Sequence, residues 1–62
     1  MQKYTVEQAR GLAKISQRKM SVLLNMSENT YINKEKGETR FYVDEALKFS
    51  KIVNIPFENI LF

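Results

Sequence analysis

A chain of 62 residues that holds no cysteine, histidine or tryptophan is one small domain, residues 1–62, and buries only about 60% of the surface its unfolded form exposes. With 44% hydrophobic and 27% charged residues it reads as globular rather than disordered, and its net charge of +3 favours anionic partners only mildly. The missing cysteines and histidines exclude a disulfide framework, the usual zinc ligand sets, thiol nucleophiles and histidine bases; no metal, cofactor or enzymatic activity is expected.

Thr5-Val6-Glu7-Gln8 has the form of a capping box, in which a threonine hydroxyl and a glutamine amide satisfy each other's backbone N–H groups. Val6, Ala9, Leu12 and Ala13 then recur at helical spacing and predict a first helix over about residues 5–13. Ser16 is a second N-cap, and Met20, Leu23 and Leu24 form the stripe of a helix over about 17–24. Asn25 tolerates the left-handed backbone that ends a helix sharply, Met26 packs in the corner, and Ser27 caps a third helix of about 28–36 that stops at Gly37. A polar loop follows. Val43, Ala46, Leu47, Ser50 and Val53 mark a fourth helix of about 43–53, flanked by Phe49 and Ile52. Pro56, welcome at a helix start, opens a fifth helix of about 56–61. The expectation is an all-α fold of five short helices, with Met20, Leu23, Leu24, Leu47 and Val53 in a single core and no strand.

Charge is uneven along this chain. Residues 1–40 carry Lys3, Arg10, Lys14, Arg18, Lys19, Lys34, Lys36 and Arg40 against Glu7, Glu28, Glu35 and Glu38, a local +4; residues 41–62 sum to −1. No apolar run approaches the roughly 18 residues of a membrane span and no signal-like stretch opens the chain, so a cytoplasmic protein without a membrane partner is expected.

A helix, a three-residue corner and a polar helix form the pattern of a helix-turn-helix, whose second helix enters the DNA major groove. Ser16-Gln17, Met20-Ser21, Leu24-Asn25-Met26-Ser27, Thr30-Tyr31 and Glu35-Lys36-Gly37 resemble, in identity and joint spacing, the phage Cro and repressor type of domain, the lambda repressor-like helix-turn-helix family. Glu45-Ala46-Leu47 and Asn54-Ile55-Pro56 extend the resemblance to nearly the whole chain. It implies a five-helix domain that binds double-stranded operator DNA, as a homodimer or as a heterodimer with another repressor. The resemblance also implies that Gln17 contacts phosphate and braces the third helix, and that Arg10 and Glu35 form a structural ion pair.

On the third helix, counting 100° per residue from Glu28 puts Ile32 at about 40°, Lys36 at about 80°, Asn29 at about 100° and Asn33 at about 140°, so these five share one face. Tyr31, Lys34 and Thr30 fall opposite. Asn29 and Asn33 suit bidentate bonds to adenine, Glu28 suits cytosine N4, and Ile32 suits a thymine methyl. Ser27 at the helix start, with Lys36, Arg40, Lys14 and Arg18, suits phosphates, which position without specifying. The family usually has a small polar residue at position 32 and an aliphatic or aromatic one at 34, so Lys34 is expected to snorkel its amine out to solvent.

Phe57, Ile60, Leu61 and Phe62 make the end of the chain apolar. Phe57 and Ile60 are expected to pack against the fourth helix; Phe57, Leu61 and Phe62 form the candidate surface for a second chain. The function expected is a sequence-specific transcriptional regulator of the phage repressor type. The alternative is a protein-binding modulator, or antirepressor, that uses the same fold to grip another repressor.

Overall fold

The computed structural model describes residues 2–62. In chain order these form β1 (Tyr4–Thr5), α1 (Val6–Leu12), α2 (Gln17–Leu23), α3 (Glu28–Lys36), α4 (Val43–Val53), a 3-10 turn (Phe57–Asn59) and β2 (Ile60–Leu61). None of the helices is long and apolar enough to cross a membrane among the described residues.

Side-chain capping sets the start of the first three helices. Thr5 Oγ1 accepts from the Gln8 amide at 3.1 Å while Gln8 Oε1 accepts from the Thr5 amide at 3.0 Å, closing the capping box ahead of α1. Ser16 Oγ takes the Lys19 amide at 3.0 Å and Ser27 Oγ the Thr30 amide at 3.1 Å. Left-handed residues follow three of the helices: Asn25 after α2 at φ 59°, Gly37 after α3 at φ 86° and Asn54 after α4 at φ 59°. At the α2–α3 corner this conformation returns the Met26 amide to the Ser21 carbonyl at 3.0 Å, so the chain reverses without losing backbone bonds. Lys14, at φ 58°, plays the same part after α1 without a side chain suited to it.

The expected five-helix, all-α architecture is incorrect. Among the described residues there are four α-helices, and the segment expected as the fifth helix is a three-residue turn running into a strand that pairs in parallel with β1, Tyr4 opposite Ile60 and Thr5 opposite Leu61. A six-residue helix closes too few i to i−4 bonds to offset the ordering of its first turn. Pro56 is extended, at φ −54° and ψ 140°, and so is Ile60, at φ −113° and ψ 130°. The extended path carries Ile60 into the core and gives its backbone the Tyr4–Thr5 segment as a partner.

One core holds the elements together: Val6 and Ala9 of α1, Met20 and Leu24, Tyr31 of α3, Phe49 and Val53 of α4, and Ile60 of β2. Leu47, expected in the core, is 45% exposed, and Leu23 is half-buried. The buried stripe of α4 is instead Ala46, Phe49, Ser50 and Val53. Both stripes have helical spacing; burying the Phe49 ring removes more apolar surface from water than burying Leu47. Aromatic contacts extend outward from this core, with Phe41 between Tyr31 and Phe49 at ring-centroid distances of 6.3 and 6.1 Å.

The two glycines make opposite predictions. Gly11 lies inside α1 with open space where a Cβ would stand, so Gly11→Ala is expected to stabilise the domain by about 0.5–1 kcal/mol. Gly37 occupies the left-handed region, so Gly37→Ala is expected to destabilise it by about 1 kcal/mol despite equally open space. Urea unfolding of the two variants checks both signs.

Candidate nucleic-acid interface

The α2–α3 corner sets α3 closely along α2 and leaves the outer side of α3 to solvent. Glu28, Asn29, Asn33 and Lys36 are exposed there. Ile32, placed on the same face by helical geometry, is half-buried, so it sits at the margin of that face. Tyr31 and Lys34 turn inward and are buried, whereas Thr30, expected with them, is exposed; its hydroxyl accepts from Ser27 Oγ at 2.8 Å beside the cap. The outer face thus offers amide, carboxylate and ammonium groups, which can both donate and accept hydrogen bonds.

Behind this face stands a polar cluster centred on Glu35, whose side chain is 5% exposed. Its Oε1 accepts from Arg10 Nε and from the Tyr31 hydroxyl, both at 2.7 Å. Its Oε2 accepts from Gln17 Nε2 at 2.7 Å and from Arg10 Nη2 at 3.4 Å. Arg10 Nη1 donates in turn to the Ile15 carbonyl at 2.8 Å, closing the bend between α1 and α2. The pair found between Arg10 and Glu35 therefore has further members. Tyr31 stands one helical turn before Glu35, a spacing visible in the sequence, but its inward rotation is set by the core. Gln17 gives one N–H to Glu35, which ties the start of α2 to α3.

These contacts shift the titration of the cluster. Burial disfavours the charge on Glu35, but hydrogen bonds from Arg10, Tyr31 and Gln17, with the charge of Arg10, outweigh it and hold its pKa below the usual value. Arg10 is raised by its bond to Glu35. Tyr31 is pushed far up, first by burial and then by the carboxylate it donates to.

A second inward cluster was not legible in the sequence. Lys34 Nζ does not reach solvent as expected: it bonds Glu45 Oε1 in the first turn of α4 and lies 4.3 Å from the centroid of the Tyr42 ring. The same Glu45 oxygen accepts the Tyr42 amide at 2.9 Å, at the start of α4. An isolated buried ammonium is costly, and the nearest carboxylate decides its direction.

Other candidate residues are spread over the surface. Lys14 is exposed after α1, Arg18 on α2, Lys36 at the end of α3 and Arg40 in the following loop, and among the described residues none forms an ion pair. At the chain end Phe57, Leu61 and Phe62 retain 41%, 53% and 45% exposure. Phe62 is nevertheless held: its ring stacks on Phe57 at 5.3 Å and meets Phe41 and Phe49 edge-on at 5.3 and 5.8 Å. Leu61 has no such hold.

No family model, curated protein or solved structure matches the chain.

Because the pKa of Glu35 is depressed on folding, its stabilisation is complete above the ordinary carboxylate range and is lost as pH falls through its folded pKa. Glu35→Gln is expected to cost about 1.5–3 kcal/mol at pH 7, the range for hydrogen bonds to charged groups. It should also flatten the fall in stability as pH drops below the ordinary carboxylate range. Urea unfolding across that range checks the prediction; parallel profiles for the two proteins would count against it.

Proposed function

We propose that the protein is a sequence-specific DNA-binding regulator that uses α2 and α3 as a helix-turn-helix, with α3 in the major groove. The observation that carries this reading is the division of α3 into two sides. Its outer side presents Glu28, Asn29, Asn33 and Lys36 to solvent, while its inner side is fixed by Tyr31, Lys34 and Glu35. Side chains that read base edges need such a rigid base, since hydrogen bonds lose strength over fractions of an ångström. The resemblance of Ser16-Gln17 through Gly37 to phage repressors supports the same reading.

Asn29 and Asn33 are assigned to adenine edges, Glu28 to cytosine and Ile32, from the margin, to a thymine methyl. Lys36, Arg40, Arg18 and Lys14, with the free N–H of Gln17 and the amides behind Ser27, are assigned to phosphates. With no arginine on α3, guanine is not read from that helix by the commonest contact. Two copies on half-sites about 34 Å apart suit a domain whose longest extent is 32 Å. The resulting complex would block transcription by occupying its operator.

A protein-binding role is the second reading, favoured by the exposure of Leu61 and Phe62. It predicts a stable complex with another repressor and only weak, sequence-blind binding to DNA.

Selection from a random duplex pool, followed by binding across a salt series, tests the first reading. A linear fall of log affinity with log salt is expected, and Lys36→Ala and Arg40→Ala should each lower its slope by about 0.9. Asn29→Ala and Asn33→Ala should each lose about 1–3 kcal/mol of discrimination at one base step, with the slope unchanged. No enriched sequence from the pool would count against direct readout.

A further inference from the structure

Lys34 and Glu35 are consecutive, so their side chains leave α3 about 100° apart. Glu35 is tied to Arg10 of α1 and Gln17 of α2, and Lys34 is tied to Glu45 of α4 beneath the Tyr42 ring. The backbone of α3 runs close along α2, and among the described residues no comparable backbone packing joins it to α4. The α4 side of α3 is reached through side chains, by Tyr31 against Phe41 and by Lys34.

We propose that Lys34 and Glu45 are positioning residues that fix the rotation of α3 about its own axis, and so set which side chains its outer face presents. Stability alone gives little reason for the pair, because an apolar residue of similar length in place of a buried ion pair is often neutral or stabilising. An apolar contact lets the helix roll; an ammonium held by a carboxylate and a ring face has one direction. The lever is short. Side-chain tips stand about 6 Å from a helix axis, so a roll of about 10° moves Asn29 and Asn33 by about 1 Å, enough to break a bidentate bond. The consequence for base reading rests on the DNA-binding function proposed above, whereas the roll itself does not.

The test compares the protein with Lys34→Met, Glu45→Gln and the exchanged pair Lys34→Glu/Glu45→Lys. Amide residual dipolar couplings vary periodically along a helix, and their phase reports its rotation. The phase along α3 is expected to shift by about 10° or more in the first two variants, from the lever above, with the thermal midpoint of Lys34→Met within a few degrees of the parent and that of Glu45→Gln lowered, since it leaves the buried Lys34 ammonium without its carboxylate. The exchanged pair should move the phase back. An unchanged phase in both single variants overturns the proposal, whatever happens to DNA binding. If one variant fails to fold, the other, close to its parent residue in length, decides. On a selected duplex and a single-base-pair variant of it, Lys34→Met should reduce discrimination at least about threefold at an unchanged salt slope. If the parent discriminates and Lys34→Met, with its phase shifted, discriminates equally, the positioning role is wrong. A shifted phase in a parent that does not discriminate keeps the clamp and removes the DNA reading instead.

Discussion

Glu35 is a single carboxylate on which three helices converge: it sits on α3 and accepts from Arg10 of α1, Gln17 of α2 and Tyr31 of its own helix. In a domain this small the apolar core supplies little excess stability, so directional bonds decide how helices sit against one another. The cluster is satisfied throughout, and among the described residues no buried side-chain nitrogen or oxygen lacks a partner. That completeness makes it a frame: removing Glu35 would strand the Arg10 charge and the Tyr31 hydroxyl together.

The remainder of the architecture follows from placing α3 on this frame. One flank is bound through Glu35 to the first two helices, and the other reaches α4 through Lys34 and the aromatic series Tyr31, Phe41 and Phe49. What is left over is a polar outer face carrying Glu28, Asn29, Asn33 and Lys36. Phe62 closes the aromatic series at the far end, where Leu61 stays open to solvent.

Local chemistry was largely visible in the sequence. Thr5, Ser16 and Ser27 as caps, Asn25 and Gly37 as stops, and the apolar spacing of Val43 to Val53 are signals confined to a few residues, and they place α1 to α4 within a residue or so. Non-local choices were not visible. Helical spacing admits either Leu47 or Phe49 as the inward residue, and only competition for core volume selects Phe49. The strand at Ile60 needs a partner at Tyr4, far away in the sequence, whereas proline at a permitted helix start locally signals a helix. For the candidate site, the outer face of α3 and the Arg10–Glu35 pair were legible, from helical geometry and from family resemblance respectively. The Lys34–Glu45 bond was not, because it joins two elements whose mutual placement the core decides.

The proposed function has α3, held from behind, meeting DNA with its outer face. It is tested most directly by following backbone amide and Asn side-chain signals by NMR while a duplex from the selected pool is added at physiological salt. Saturable shifts are expected, concentrated at Ser27, Glu28, Asn29, Asn33 and Lys36, with Phe57 to Phe62 changed only where a second copy joins. Shifts confined to Phe57–Phe62, or spread over the lysines and arginines and equal for an unrelated duplex, would contradict it.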